Sequence, residues 1–553
     1  MIATDENLSA VAWLEGTNEL RASFSDGRGV EWTPTITVKP SHPAPAFDAA
    51  LCVDQQVAVF AWRDRRHAVP QSIASTPFVR TYDASSGLLS AEVQLLNGLP
   101  AANVTTERPI AAAVRVGSTL RVHVLVHHAV FPAPPTNMFG GPVATDSLLR
   151  LYTSNDGGHT FPIARDVAHL PLTAILWDLR VEAEGDDVHV FWTDDRSSWQ
   201  DYEVYHQRSS DGGLTFDFPV EHRLTTHAAI QAFDVDVAGS VIALAVNDTA
   251  HDPLSGTVYW DRIDTLVSVD RGTTFTPQTT LPGASATDYA FAWPSVAISS
   301  SGAAIDVAWQ SGGGWTTQPD VDWSRSVDAG AHWSSEALLT ANGGHYPRLR
   351  ADPSGRARMT LSWAQTDGWR VAASLDDGAS WQPPVEFSGD TFTTGGVGHI
   401  PACWNSRYQN FVSTWLTAAA GVTTVWSGGA RPQTITPIGF QVGPASPHVA
   451  CERFDDGNSI AFVLASLTPG SFALPFGDGR ELGLAPDALF AATANLAVSG
   501  VLAAPLDAQG DGATAALAGA VLPAGLQFSL VGVSFDLATL RFGDISDVVT
   551  VQL

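Results

Sequence analysis

Short apolar runs of strand length, broken by Gly, Pro, Ser and Asp, recur through most of this 553-residue chain. One unit repeats: an apolar strand, often just after a Pro, then a second strand ending in an aromatic residue and a polar loop. PSVAISSSGAAIDVAWQ from Pro294 and PRLRADPSGRARMTLSWAQ from Pro347 are two copies. Further strands, Leu148 to Tyr152 and Glu203 to Gln207, lead into polar, glycine-bearing phrases. Period-two alternation marks half-buried strands, and the Gly and Pro clusters mark turns. The pattern predicts an all-β chain of repeated small sheets.

The polar phrases repeat one another. They read SNDGGHTF from Ser154, SSDGGLTF from Ser209, SVDRGTTF from Ser268, SVDAGAHW from Ser326 and SLDDGASW from Ser374. A recurring period of about this length in an all-β pattern means stacked or radially arranged repeats. Each phrase has hairpin-turn composition: an Asp that accepts N–H groups of its own turn, a Gly free to take positive φ, and hydroxyls that bond locally. The closing Phe or Trp is large enough to wedge between neighbouring sheets.

These five matches to S-x-D-x-G-x-[TS]-[WF] resemble the Asp-box repeats of the sialidase-like β-propeller family. The resemblance implies a propeller whose boxes join the third and fourth strands of each blade, on the face away from the ligand site. Asp156, Asp211, Asp270, Asp328 and Asp376 are then structural residues. Residues 47–97 fit the same template, with TYDASSGLLS from Thr81 in place of a box, and so do residues 399–437. The N-terminal SAVAWLEGTNELRASFSDGRGVEW from Ser9 reads as the later strands of a blade whose first strand comes from PHVACERF at Pro447. The count is seven to eight four-stranded blades over residues 1–466. From about Thr468 the chain turns Ala/Leu/Gly-rich, loses Trp and ends in alternating strands, so residues 467–553 read as a small β-sandwich.

Composition narrows the function. A net charge of −28 argues against nucleic acid or an anionic membrane as partner. No apolar run is long enough to predict a membrane span. Lys39 is the only lysine, and Cys52, Cys403 and Cys451 permit at most one internal disulfide, with buried free thiols the plainer reading. MIATDENLSA lacks the basic and apolar regions of a signal peptide, while the resemblance implies a secreted or cell-surface protein, so a leader absent from this chain is the expectation. H-E-x-x-H, paired C-x-x-C, G-x-S-x-G and P-loop motifs are all absent.

Propeller geometry puts the second-to-third-strand loops and the blade connections on the face opposite the boxes. Those segments carry Arg63, Asp64, Arg108, Asp195, Arg196, Trp199, Trp260, Trp315, Tyr346, Arg348 and His399. Guanidiniums, carboxylates and aromatic faces together suit a glycan or acidic ligand; salt bridges between blades are the alternative. Acidic loops 194–201, 248–261 and 320–322 could hold calcium, though without a D-x-D-x-D-G loop. The resemblance implies that an active sialidase has three arginines, an Asp acid and a Tyr–Glu couple, announced by R-I-P or R-L-P. Arg108-Pro109-Ile110 and Pro347-Arg348-Leu349 hold these residues in the wrong order, and Glu203 beside Tyr202 and Tyr205 reads as a strand position. Two readings follow: a propeller that binds glycan or extracellular protein without sialidase activity, or an exo-sialidase-like or other glycoside hydrolase with a degenerate motif.

Overall fold

A computed structural model describes residues 1–4, 8–15, 19–25, 32–39, 42, 44–69, 72–135, 143–197, 202–226, 230, 232–251, 258–285, 293–311, 320–335, 337–340, 344–351, 359–365, 368–374, 376–381, 384–388, 403–405, 410–419, 422–430, 434–438, 443–452, 459–468, 484–506, 512–517, 520–536, 541–546 and 549–552. The chain is nearly all β. Up to residue 430 the described residues form eight consecutive sheets, the first seven antiparallel meanders, spanning 2–37, 46–94, 104–169, 176–223, 232–285, 295–340, 345–388 and 403–430. The first seven run through four strands in chain order, the second adding a short fifth; the eighth has three described strands. Two compact units emerge: residues 1–404 with 412–428, and residues 405–411 with 429–553.

Among the described residues of the first unit the hydrophobic core is divided into six layers, each between two successive sheets. Phe24 packs with Phe60 and Trp62 between the first and second sheets, and Leu149 with Leu179 and Trp192 between the third and fourth. The same scheme runs on to the seventh sheet, where Val321 packs with Leu361 and Trp363. First strands touch first strands along this series. A sheet buried on both faces must be apolar on both, which explains the near-continuous apolar runs such as Val57–Trp62.

The five boxes lie between third and fourth strands, as the resemblance implied. In each, the buried Ser hydroxyl donates to the Asp at 2.6–2.9 Å and accepts the N–H of the second Gly-position residue, Gly158, Gly213, Gly272, Gly330 or Gly378, at 2.7–2.8 Å. The residue four after the Asp closes the turn by bonding both carboxylate oxygens, as Thr215 does to Asp211 at 2.8 and 2.6 Å. Burial opposes ionisation of Asp211, but the bonds from Thr215 and Ser209 outweigh it and hold the carboxyl below its ordinary range. The closing aromatics Phe161, Phe216, Phe275, Trp333 and Trp381 each enter the layer shared with the preceding sheet. Glycine is required there twice over: φ lies between 77° and 89°, and a Cβ would meet the preceding sheet, at 2.5 Å from Thr81 Cγ2 for Gly158 and 2.7 Å from Thr153 Oγ1 for Gly213. In the second sheet Asp83 does the same work with Ser85 and Ser86.

Three expectations change. The N-terminal sheet has its own first strand, Ile2–Thr4, paired to Ser9–Val11, so no strand is borrowed to complete it. The strand expected to close it, His448–Glu452, instead pairs with Thr434–Ile438 and Gly512–Ala513 in the second unit. The division also falls before the expected 466/467 boundary, because Ser459–Ser466 pairs along its whole length with Gln527–Asp536. The second unit is more than two sheets. Val449 and Cys451 share a core with Ala461, Val463, Phe528 and Leu530, as in a sandwich, but the other face of that sheet meets a helix, Ala488–Val498, through Phe490, Val531 and Val533. Asp487 caps this helix by accepting from Phe490 N at 2.9 Å, and the Ala- and Leu-rich sequence behind it favours the helical state. Cys52 and Cys451 are free thiols.

The box contact predicts a ranking of glycine variants. Gly213→Ala combines strained φ with a clash against the Thr153 and Leu151 side chains and should cost about 2–3 kcal/mol, whereas Gly185→Ala, at φ 60° with open space around it, should cost only about 1 kcal/mol. Thermal melts of the two variants check this; equal losses would remove the close-approach argument.

Candidate functional site: the strand ends opposite the boxes

The ends remote from the boxes are where first strands begin and second strands finish. Four first strands carry a register shift there: Phe47/Ala50, Glu107/Ile110, Leu176/Asp178 and His345/Arg348. A bulge bends its strand and re-aims the extra side chain. The extra residues are Asp48, Arg108, Trp177 and Tyr346, three of them at positive φ (35°, 43° and 53° for Asp48, Arg108 and Tyr346). Such backbone is strained for residues other than glycine and concentrates at functional positions. Asp48, Arg108 and Trp177 are exposed. The Trp177 ring lies 5.4 Å from that of Tyr202, and Trp293 lies 5.5 Å from Tyr346.

Arginines tie these rims together. Arg63 donates to Asp48 at 2.7 Å and to Thr106 O of the next sheet at 2.6 Å. Arg108 donates to Trp177 O, again one sheet on. Arg180 donates to Phe233 O at 3.2 Å. Each guanidinium therefore satisfies a carbonyl of the following sheet's first strand, which fixes one rim against the next.

Asp64 and Arg196 belong to a different device. Trp62 Nε1 and Trp192 Nε1 donate to Asp64 and Asp194 at 3.4 and 2.9 Å, and each Asp, fully buried, grips the arginine two residues on, Arg66 or Arg196. Each arginine also reaches a second acid, Glu92 or Glu221, and stacks over Phe78 or Tyr205 at 3.9 or 4.1 Å. The W-x-D-x-R spelling of Trp62–Arg66 and Trp192–Arg196 is a repeat visible in the sequence, and it marks a clasp at the end of the second strand. Asp195 accepts Ile175 N at 2.6 Å, beneath the connection that leads to Trp177. Glu203 is buried, receives Thr225 Oγ1 at 2.6 Å and pairs with Arg223, so it is a strand-internal anchor beside Tyr202 and Tyr205.

Arg348 lies deeper. It, Arg180 and Arg350 approach Asp234 at 3.9, 3.9 and 3.7 Å, and Ser295 Oγ donates to the same carboxylate at 2.8 Å. Four successive sheets, the fourth to the seventh, thus meet at one carboxylate. Burial opposes its ionisation, but Arg350, Arg348 and Arg180 together hold Asp234 below the ordinary range. The desolvation falls instead on Arg348, pushed down to about 10. Toward the box face the balance reverses: burial, then Asp236, pushes Glu182 up to about 8, and burial pushes Asp236 up to about 6. Of the sequence-derived candidates, the structure brings Arg63 and Arg108 to one stretch of rim, Tyr346 to a bulge three sheets beyond Trp177, and Arg348 to the interior. Trp199, Trp315 and His399 lie outside the described residues, and of Trp260 only the backbone, in Val258–Ser268, is described. Trp177 and Glu107 are not among the sequence-derived candidates; for Trp177 the sequence signal is a Trp just inside a first strand. Among the described residues no three His, Cys, Asp or Glu side chains gather as a metal-holding group.

Two outcomes follow. Breaking the clasp by Asp194→Ala strips Trp192 Nε1 of its buried acceptor and leaves Arg196 with Glu221 alone, and should destabilise by about 2–3 kcal/mol, more than Asp48→Ala on the exposed rim, as read by chemical denaturation. Glu182 gives a pH signature. Its folded value lies above the unfolded one of about 4.5, so its contribution is complete below that pH and lost as pH rises toward about 8. Glu182→Gln should therefore gain stability over the parent between pH 5 and 8, most at the upper end, in melts taken across that range.

No family model matches this chain, and no curated protein matches it. Similar solved structures include the Fusarium graminearum α-L-arabinofuranosidase Arb93A at 13% identity, covering 58% of this chain and 88% of that one with a TM-score of 0.34. A polysaccharide lyase, an ulvan lyase, shares 11% identity over 80% of this chain and 93% of its own, with a TM-score of 0.39. The Streptococcus pneumoniae sialidase NanB shares 12% identity over 65% and 63%, with a TM-score of 0.34. Likenesses this distant carry no argument about activity.

Proposed function

We propose that the first eight sheets are the blades of a closed Asp-box propeller that binds a glycan on the rim opposite the boxes, without hydrolysing sialosides. The observation that carries the reading is Trp177: a large aromatic held 39% exposed on a bulge, with Tyr202 against it and Arg108 fixed to its carbonyl. An immobilised ring with polar groups at its edge matches the apolar face and hydroxyl rim of a sugar. The arginine arrangement favours a binder over a sialidase. Arg180, Arg348 and Arg350 are directed at an internal carboxylate, Asp234, where an incoming acid would have to displace it. Secretion, and attachment through the second unit, complete the proposal. The strongly acidic charge disfavours nucleic acid as partner, and no described helix is long and apolar enough to cross a membrane.

A glycan array on the full chain, followed by calorimetry with the best ligand, tests this. Trp177→Ala should weaken binding about tenfold or more, roughly 1.4 kcal/mol, with the melting temperature unchanged. Equal affinity in the variant, or turnover of a fluorogenic sialoside by the parent, would overturn the reading.

A further inference from the structure

The third sheet carries a serine, a histidine and a glutamate side by side on one face. Glu107 stands directly opposite His127 across the first and second strands, and Ser147 stands diagonally from His127 on the third. His127 Nε2 is 2.9 Å from Ser147 Oγ, and its Nδ1 points to Glu107 Oε2 at 3.7 Å. That Nδ1 is buried and has no hydrogen-bond partner, unlike both nitrogens of His128 next door, which engage Thr106 and Tyr152. In the tautomer where the Ser147 hydroxyl donates to Nε2, the ring carries its proton on Nδ1, toward Glu107. This is the tautomer in which a histidine takes a serine proton and a carboxylate steadies the resulting imidazolium.

The surroundings suit an ester. Ser147 O receives Leu170 N at 2.8 Å, where the connection to the fourth sheet begins, and that connection displays Leu172, Ile175 and Trp177 as exposed apolar side chains. Arg108, adjacent in sequence to Glu107, supplies a guanidinium on the same rim. Leu172, Ile175 and Trp177, exposed a few residues beyond Leu170, are the apolar side chains this rim offers to an acyl group, while Ser147 itself is 6% exposed. The 3.7 Å gap is what an unliganded relay commonly shows before substrate closes it.

We propose that Ser147, His127 and Glu107 form a hydrolytic relay for carboxylic esters with a small apolar acyl group. Ser147 Oγ attacks the ester carbonyl carbon while His127 Nε2 takes its proton. The carbon–oxygen bond to the alcohol breaks, and the leaving oxygen takes that proton from Nε2. Water then attacks the acyl-serine, giving one proton to Nε2; the acyl–Ser147 bond breaks, and the proton returns to Ser147 Oγ as the carboxylic acid departs. Ser147 and His127 are the catalytic residues, and Glu107 positions the imidazole.

The full chain incubated with a fluorophosphonate probe should carry one adduct, on Ser147, located by peptide mass spectrometry. It should hydrolyse 4-nitrophenyl acetate and butyrate, and Ser147→Ala should lose both label and at least about 100-fold in kcat/KM. Glu107→Gln should lower kcat about tenfold with KM nearly constant and shift the acid limb of the pH–rate profile, which a merely structural role would not do. Absence of the Ser147 adduct in the parent overturns the proposal without reference to any variant's folding, as does a Ser147→Ala protein that melts normally and hydrolyses at the parental rate. Neither result bears on glycan binding through Trp177.

Discussion

The first unit depends on one close approach: the second glycine position of each box pressed against the preceding sheet. Gly158, Gly213, Gly272 and Gly330 leave only 2.5–2.8 Å between an added Cβ and a third-strand side chain of the sheet before. The Ser hydroxyl that accepts this residue's N–H and the Asp that gathers the rest of the turn exist to hold that contact. The aromatic five residues after each Asp then fills the layer behind it. Sheet spacing is thus fixed locally and repeated, and each layer of core is built from only two sheets. A four-stranded meander has two apolar faces and cannot bury either one alone, so the repeat is also what makes each sheet stable.

Fixing the box ends frees the others. Opposite the boxes, strands finish in bulges and arginine-to-carbonyl ties rather than tight turns, so side chains there are aimed individually. Charge is handled in two ways at that level. On the rim, guanidiniums cap backbone carbonyls and leave Asp48, Arg108 and Trp177 in solvent. Deeper in, three guanidiniums, that of Arg350 reaching in from the surface, share the buried Asp234, while burial pushes Glu182 and Asp236 lower down above the ordinary carboxylate range. The proposed relay of Ser147, His127 and Glu107 belongs to the rim, where cross-strand registry alone brings three strands' polar residues together.

The sequence by itself determined the repeat, the strand order within each unit and the structural role of Asp156, Asp211, Asp270, Asp328 and Asp376. Those are local facts: a hairpin turn is encoded by residues within eight positions, and an apolar strand by its own alternation. It also spelled the W-x-D-x-R clasp twice, though the charged residues' place on loops opposite the boxes suggested a ligand site at Asp64 and Arg196. Only the tertiary structure decided that the N-terminal sheet is complete, that His448–Glu452 pairs beyond residue 429, and that a capped helix covers one face of the second unit. It likewise decided that Arg348 turns inward to Asp234 while Trp177 faces out. Strand partners and side-chain direction at a bulge depend on residues scores of positions away, 54 between Ser295 and Leu349. No local pattern carries that information, because register is set where one sheet's face meets another's.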